Sequence, residues 1–180
     1  MPLSRLQHWA EYHQVEKQLP ELGFIRDAGS EVICRWKHRS TGVLFDLMPT
    51  DPAVLGFSNP WYPEAVKTAT RVRLSDRTEV RIISAPAFVA TKFEAFISRG
   101  GGDLLSSHDL EDILNVVDGR ASMVEELKMA SDPLQKYVRE QFNILLSRPN
   151  LENYLPGLLT DESRVGIVLA RLRRMAAQFD

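Results

Sequence analysis

Apolar positions recur along this chain with two different periods. Between Leu3 and Leu22 the residues Leu6, Trp9, Ala10, Val15 and Leu19 fall at helical spacing, and Pro20 disturbs the end, so an amphipathic helix is expected there. Glu31 to His38 alternates instead, with Val32, Cys34 and Trp36 on one side and Arg35 and Lys37 on the other. That is the pattern of a half-exposed strand, and Gly23 to Asp27 and Gly42 to Met48 are the strand candidates on either side of it. After Gly42 the third candidate is apolar throughout except for Asp46, which predicts an interior strand carrying one carboxylate. Pro49, Pro52, Pro60 and Pro63 then mark a rim or lid loop in which Trp61 and Tyr62 close a small satellite core or stack on a base. Glu64 to Thr68 is expected as a short helix. Arg71 to Ser75 and Thr78 to Ile83 form a hairpin turning over Ser75, Asp76, Arg77 and Thr78, with Val72 and Leu74 facing inward.

The stretch from Ser84 to Gly119 reads as two helices joined by a glycine turn. In the first, Phe88, Val89, Phe93, Ala95 and Phe96 set the apolar face, and Gly100, Gly101 and Gly102 end it. The second starts at the N-cap Ser107, places Asp109 and Glu111 in its first turn, and buries Leu110, Ile113, Leu114 and Val117. Beyond Gly119 three further helices are expected, over Ser122 to Ala130, Asp132 to Leu146 and Asp161 to Phe179, with breaks at Asp132-Pro133, Arg148-Pro149 and Pro156-Gly157. The last helix is amphipathic through Val165, Val168, Leu169, Leu172 and Met175. Its Arg164, Arg171, Arg173 and Arg174 make a solvated basic face or, on a sharper reading, an RNA or phosphate patch.

Composition narrows the class without naming a function. The 180 residues carry a formal net charge of -2 and are 44% hydrophobic, enough for a packed core and too near neutral for a general nucleic-acid coat. The single cysteine, Cys34, forms no intrachain disulfide and builds no thiolate metal site by itself, which suits a reducing compartment. With no signal-like start and no apolar run near the ~20 residues a bilayer span needs, a cytoplasmic protein without a membrane partner is expected.

Two residues are out of place in this pattern. Lys92 falls within the apolar arc between Phe88 and Phe96, so it snorkels or meets an anion, with Arg99 two turns further on the same side. Asp46 stands alone in an apolar strand, so it faces a cation, a metal or a set of donors, or else bonds to the turn that follows. Asp109 and Asp112, three residues apart on one helix, share one environment; the plainer alternative is that Asp109 serves the helix N-terminus and Asp112 is solvated. His8 and His13 are five apart, poor spacing for one metal on a helix face.

The segments ELGF (Glu21 to Phe24), LFDLMPTD (Leu44 to Asp51), LGFSNPWYPEA (Leu55 to Ala65) and ATKFEAFISRGGGDLLSSHDLEDI (Ala90 to Ile113) resemble the nucleotidyltransferases of the AbiEii type, toxin components of toxin-antitoxin and phage-abortive-infection systems. The resemblance covers about Pro20 to Gly119 and is looser beyond. It implies an NTP donor, Mg2+ and transfer of a nucleotide to an acceptor such as tRNA. It assigns Asp46 to the third metal-site carboxylate, Lys92 and Arg99 to the nucleotide phosphates, and Asp109 and Asp112 to the downstream acidic motif, making Asp46, Lys92, Asp109 and Asp112 the catalytic candidates. Such enzymes also open with a glycine-serine turn and a D-x-D strand, and this sequence has neither before Leu3; Gly29-Ser30 comes too late to substitute. A later start on a longer gene, a degenerate member and a partner-completed site are the three explanations.

The expected architecture is therefore α/β (α+β): a nucleotidyltransferase-like mixed sheet flanked by helices over residues 1–119, N-terminally incomplete, and a helical C-terminal region over 120–180. The expected function is NTP and magnesium binding with weak or absent transferase activity. The rival is a non-catalytic binding or regulatory module that pairs with a cognate antitoxin or with itself through Trp61, Tyr62 and an uncovered sheet edge. A third class, a hydrolase using His108 with Asp109 or Asp112, lacks a nucleophile other than the cap Ser107.

Overall fold

Helix α1 (Trp9–Gln18) lays Tyr12 and Val15 on one face, and Leu19 just after it is held by the turn at Leu19 to Gly23. The structure, a computed structural model, describes residues 9–56, 58–76, 78–100, 103–105 and 107–177, with the backbone alone for Trp9, Leu55, Arg99 and Gly100. Leu3, Leu6, His8, Phe57, Arg77, Gly101 and Gly102, which carried expectations above, lie outside the described residues. The fold is mixed α+β, with two small antiparallel sheets, nine α-helices among the described residues, and a helical C-terminal half. It divides into two compact units, 1–62 and 63–180; Gly119, where the sequence suggested a division, lies within the second.

In the first unit, β1 (Phe24–Arg26), β2 (Arg35–His38) and β3 (Leu44–Asp46) form an antiparallel sheet in that order. Its core is Tyr12, Leu19, Trp36 and Leu47, packed against Val15, Phe24, Phe45 and Val54. Gly23 takes φ +86°, and a Cβ there would sit 2.8 Å from the His38 ring, so the α1–β1 turn needs a residue without a side chain. Asp51 then caps the short helix α2 (Pro52–Leu55), accepting from the Ala53 amide, with Pro52 at the first helical position where no amide is required.

One expectation fails in this sheet. The run after Gly42 is not an interior strand: β3 is an edge strand, Leu44 is 53% exposed, and Asp46 is exposed rather than buried. An apolar run shows a strand with two covered faces only where other elements pack on both, and the exposure of Leu44 and Asp46 shows that they do not here; β3 also pairs with β2 alone among the described strands. Val32, grouped with buried Cys34 and Trp36 by alternation, lies ahead of β2 and is exposed.

Helix α3 (Tyr62–Thr68) leads into the second unit, where β4 (Thr70–Ser75) and β5 (Thr78–Ile82) make the hairpin. Val72 and Leu74 do not face inward: every β4 residue is exposed, Leu74 at 62%. Alternation identifies residues that share a face and carries no information on whether that face is covered. The helices are α4 (Ala85–Gly100), α5 (His108–Gly119), α6 (Met123–Lys128), α7 (Asp132–Leu146), α8 (Leu151–Leu158) and α9 (Val165–Ala176), the last preceded by a 3-10 turn at Glu162–Arg164. Val89, Phe93 and Phe96 of α4 are buried, and the Phe93 ring meets Phe142 of α7 edge to face at 5.1 Å. Phe88 and Ala95 are only half-buried.

Helix α8 was not expected, because Pro156 stands inside it. A mid-helix proline costs about 3 kcal/mol. Leu151, Leu155 and Leu158 are all buried, however, and at about 1.5–3 kcal/mol each their burial exceeds that cost. No helix among the described residues is long and apolar enough to cross a membrane.

Candidate functional site

Lys92 is the centre of the site because two helices bring opposite charges to it. Lys92 lies on the side of α4 that faces α5, and the Ser107 hydroxyl, accepting from the Leu110 amide at 3.3 Å, fixes where α5 begins. With Leu110, Ile113, Leu114 and Val117 fully buried, α5 can present Asp109 and Asp112 along one edge only. The Lys92 ammonium donates to Asp109 Oδ1 at 3.0 Å and stands 2.6 Å from Asp112 Oδ2. Its Nζ also lies 5.7 Å from the centroid of the Phe88 ring, one turn back on α4, within cation–π range.

Burial works against the charge on Lys92, but the Asp112 and Asp109 carboxylates outweigh it and hold the ammonium above the ordinary lysine range. The cation is therefore fully charged at neutral pH and aligned by its partners. Of the two readings open for Asp109 and Asp112, a shared environment or a cap with a solvated neighbour, the first describes them, since both reach Lys92. The two carboxylates differ in access, Asp109 being 17% exposed and Asp112 46%. Backbone of α4 runs through Arg99, but the Arg99 side chain, the second expected phosphate contact, lies outside the described residues.

Asp46 belongs to a different setting, in the first unit. Arg35 and Asp46 are paired across β2 and β3, and the guanidinium grips both carboxyl oxygens, Nε to Oδ1 at 2.8 Å and Nη2 to Oδ2 at 2.9 Å. This fork hydrogen bond holds the Asp46 carboxyl below the usual aspartate range despite partial burial. The anomaly of a lone acid in an apolar strand is thus satisfied by a neighbouring strand. The missing signal was positional: Arg35 and Asp46 are equidistant from the turn near Ser40 and Thr41, so a hairpin reading would have placed them opposite each other.

Magnesium, implied by the resemblance through Asp46, does not fit these residues. Both oxygens of Asp46 are engaged by Arg35, and no group of three or more His, Cys, Asp or Glu among the described residues is placed to hold a metal ion.

The other candidates resolve into local pairs. His13 bonds Glu16 at 2.6 Å, and His108, 93% exposed, bonds Glu111 at 2.9 Å. The arginines of the last helix are likewise engaged: Arg164 with Asp118 at 2.7 Å, Arg171 with the Val117 and Asp118 carbonyls, Arg173 with Glu152 at 2.8 Å, and Arg174 with Glu125 at 3.6 Å. Arg164 and Arg171 thereby supply donors to the C-terminal end of α5, where carbonyls lack helical partners. Trp61 and Tyr62 are half-buried. No protein-family model, no curated protein and no solved structure matches this chain.

Proposed function

We propose that the chain is a nucleotidyltransferase-like protein that uses Lys92 to bind the phosphates of an NTP, and that it has little or no transferase activity on its own. The observation that carries this reading is the ammonium of Lys92 set in half-apolar helix surface and aimed by Asp109 and Asp112. Asp109, the less accessible carboxylate, keeps Lys92 oriented. Asp112, the more accessible one, gives way to a phosphate oxygen, which takes its place on the same ammonium. Nucleotide transfer needs developing charge on the phosphoryl group to be neutralised. One lysine supplies part of that, and the engaged Asp46 supplies nothing, so transfer to tRNA by this chain alone is expected to be weak or absent.

Titration calorimetry with ATP, run with and without magnesium, tests the reading. Binding should be lost in Lys92→Ala under both conditions and should tighten about 5-fold in Asp112→Asn, the equivalent of removing about 1 kcal/mol of competing ion pair. Absence of binding, or binding indifferent to Lys92→Ala, would overturn it.

A second reading rests on β3. Val43 and Leu44 are 57% and 53% exposed at the edge of a three-stranded sheet, a surface suited to strand addition by a second copy or an antitoxin segment. Light scattering on the wild type and Leu44→Lys tests it. A monomer in both, with no binding to the neighbouring gene product, removes the idea.

A further inference from the structure

The first unit holds a groove of about 400 Å3 that the Lys92 reading does not touch, lined by His13, Glu16, Lys17, Arg26 and Trp36. Its walls follow from two local patterns. His13, Glu16 and Lys17 are spaced three and four apart on α1, so they share one edge of that helix. Arg26 and Trp36 are cross-strand partners in β1 and β2, so their side chains leave the same face of the sheet, and the guanidinium carbon stands 5.1 Å from the centroid of the Trp36 ring. Trp36 itself is 5% exposed, and its Nε1 is buried with no hydrogen-bond partner among the described residues. An indole N–H only donates, so nothing but an acceptor satisfies it. Native folds leave few such groups, and one that borders a groove marks a place where a ligand's acceptor belongs.

Charge decides which kind of acceptor. Both Glu16 oxygens are taken, Oε1 by Arg26 Nη2 and Oε2 by His13 Nδ1 at 2.6 Å, and Arg26 Nη1 donates to the Ile33 carbonyl at 2.6 Å. Arg26 and Glu16 therefore cancel within the groove. Lys17 is exposed and makes no ion pair or hydrogen bond among the described residues, which leaves one ammonium unanswered beside one unanswered indole N–H. We infer that this groove binds a small organic carboxylate, one oxygen accepting from Trp36 Nε1 and the other facing Lys17 Nζ. A planar carboxylate has two oxygens for the two donors and a single negative charge for the single uncompensated cation. A phosphate dianion brings a second charge with no counterpart there, and a neutral amide lacks the charge that Lys17 answers. Protonation of His13 would add a charge of the same sign as Lys17. Because Nε1 is covered in the free protein, binding requires a side chain to shift, and Arg26, which lies over the ring and is 50% exposed, is placed to do so.

Proton–nitrogen NMR of the labelled full chain tests the site, at about pH 8, above the ordinary histidine range. The three tryptophans give three indole N–H signals. That of Trp36 is the one lost in Trp36→Phe or, if that variant does not fold, the one left by elimination from Trp9→Phe and Trp61→Phe. Propionate added at constant ionic strength should move the Trp36 signal downfield and saturate, and propionamide, its neutral isostere, should leave the signal in place. Lys17→Met, a surface change that keeps the stem, should weaken propionate by about 5-fold, the loss of one charge-assisted partner at an exposed position. A tripeptide with a free C-terminus, run against its amidated form, separates two sources of the same group. Tighter binding than propionate that is lost on amidation assigns a chain end; no gain over propionate assigns a free acid. The carboxylate site is overturned by any of four results: no saturable movement of the Trp36 signal with either acid, equal movement with propionamide, equal propionate affinity in Lys17→Met, or inorganic phosphate bound more tightly than propionate.

Discussion

Asp46 and Lys92 were the two residues whose surroundings looked wrong in the sequence, and the structure gives each a partner of opposite charge. For Asp46 the partner is Arg35, one strand away. A carboxyl whose folded pKa lies below its unfolded value stabilises the fold above the unfolded pKa, near 3.8, and that stabilisation is lost as pH falls through the lower folded value. Asp46→Asn should therefore lower stability at pH 7, and with it the melting temperature, by no more than about 1 kcal/mol of unfolding free energy given the exposure of the pair. The deficit should shrink towards zero as pH falls through that lowered folded value, where the wild-type carboxyl becomes protonated too. Thermal melts of both proteins across that range check the sign; a deficit unchanged at low pH would mean the fork bond is not its source. For Lys92 the raised folded pKa runs the other way, so its contribution is complete below the unfolded lysine pKa and fades only as alkaline pH passes the folded value. Neutral pH is thus the wrong place to look for its titration, and Lys92 acts throughout the ordinary range as a fixed charge.

At the scale of the element, α5 was the most legible part of the chain. Its cap, its acidic first turn and its apolar stripe all agree, and the helix spans His108–Gly119 with the four expected residues buried. Leu114→Ala should cost about 2–5 kcal/mol through transfer and cavity together, whereas Asn115→Ala on the exposed face should stay within about 0.5 kcal/mol. Urea denaturation of the two variants measures the contrast, and equal costs would mean α5 is not packed as described. The helix with Pro156 was illegible for a physical reason. Local preference stops the chain there, and only the burial of Leu151, Leu155 and Leu158 against the rest of the unit overrides it. β3 failed in the opposite direction, since its apolar letters promised cover that its place at the sheet edge does not provide.

At the scale of the whole molecule, the sequence yielded the class, a mixed α+β chain ending in helices, and suggested a division near Gly119, whereas contacts group the residues into 1–62 and 63–180. Contacts divide the chain at 62 and 63, so α4 and α5 belong with the C-terminal helices α7 and α9 rather than with the three-stranded sheet. No local signal marks that boundary, because cores are set by which faces meet and those meetings join distant segments, as Phe93 joins Phe142. A fragment beginning at Pro60 should accordingly fold by itself, unfold cooperatively and keep the Lys92 site. Circular dichroism and calorimetry with nucleotide on that fragment check this; a fragment without a cooperative transition would show that the units depend on each other. The candidate site was half legible: Lys92, Asp109 and Asp112 were all named as candidates and meet within one unit, while Asp46, named with them, pairs with Arg35 in the first unit.

The meeting of one ammonium with two carboxylates leaves the α4–α5 seam with a surplus negative charge. An ordinary basic pocket captures polyanions more slowly as electrolyte is added, because screening dims its attraction. Here the first encounter is repulsive until Asp112 swings aside. Stopped-flow mixing with tripolyphosphate should therefore show capture accelerating with ionic strength, and deceleration would mean the seam is not the doorway.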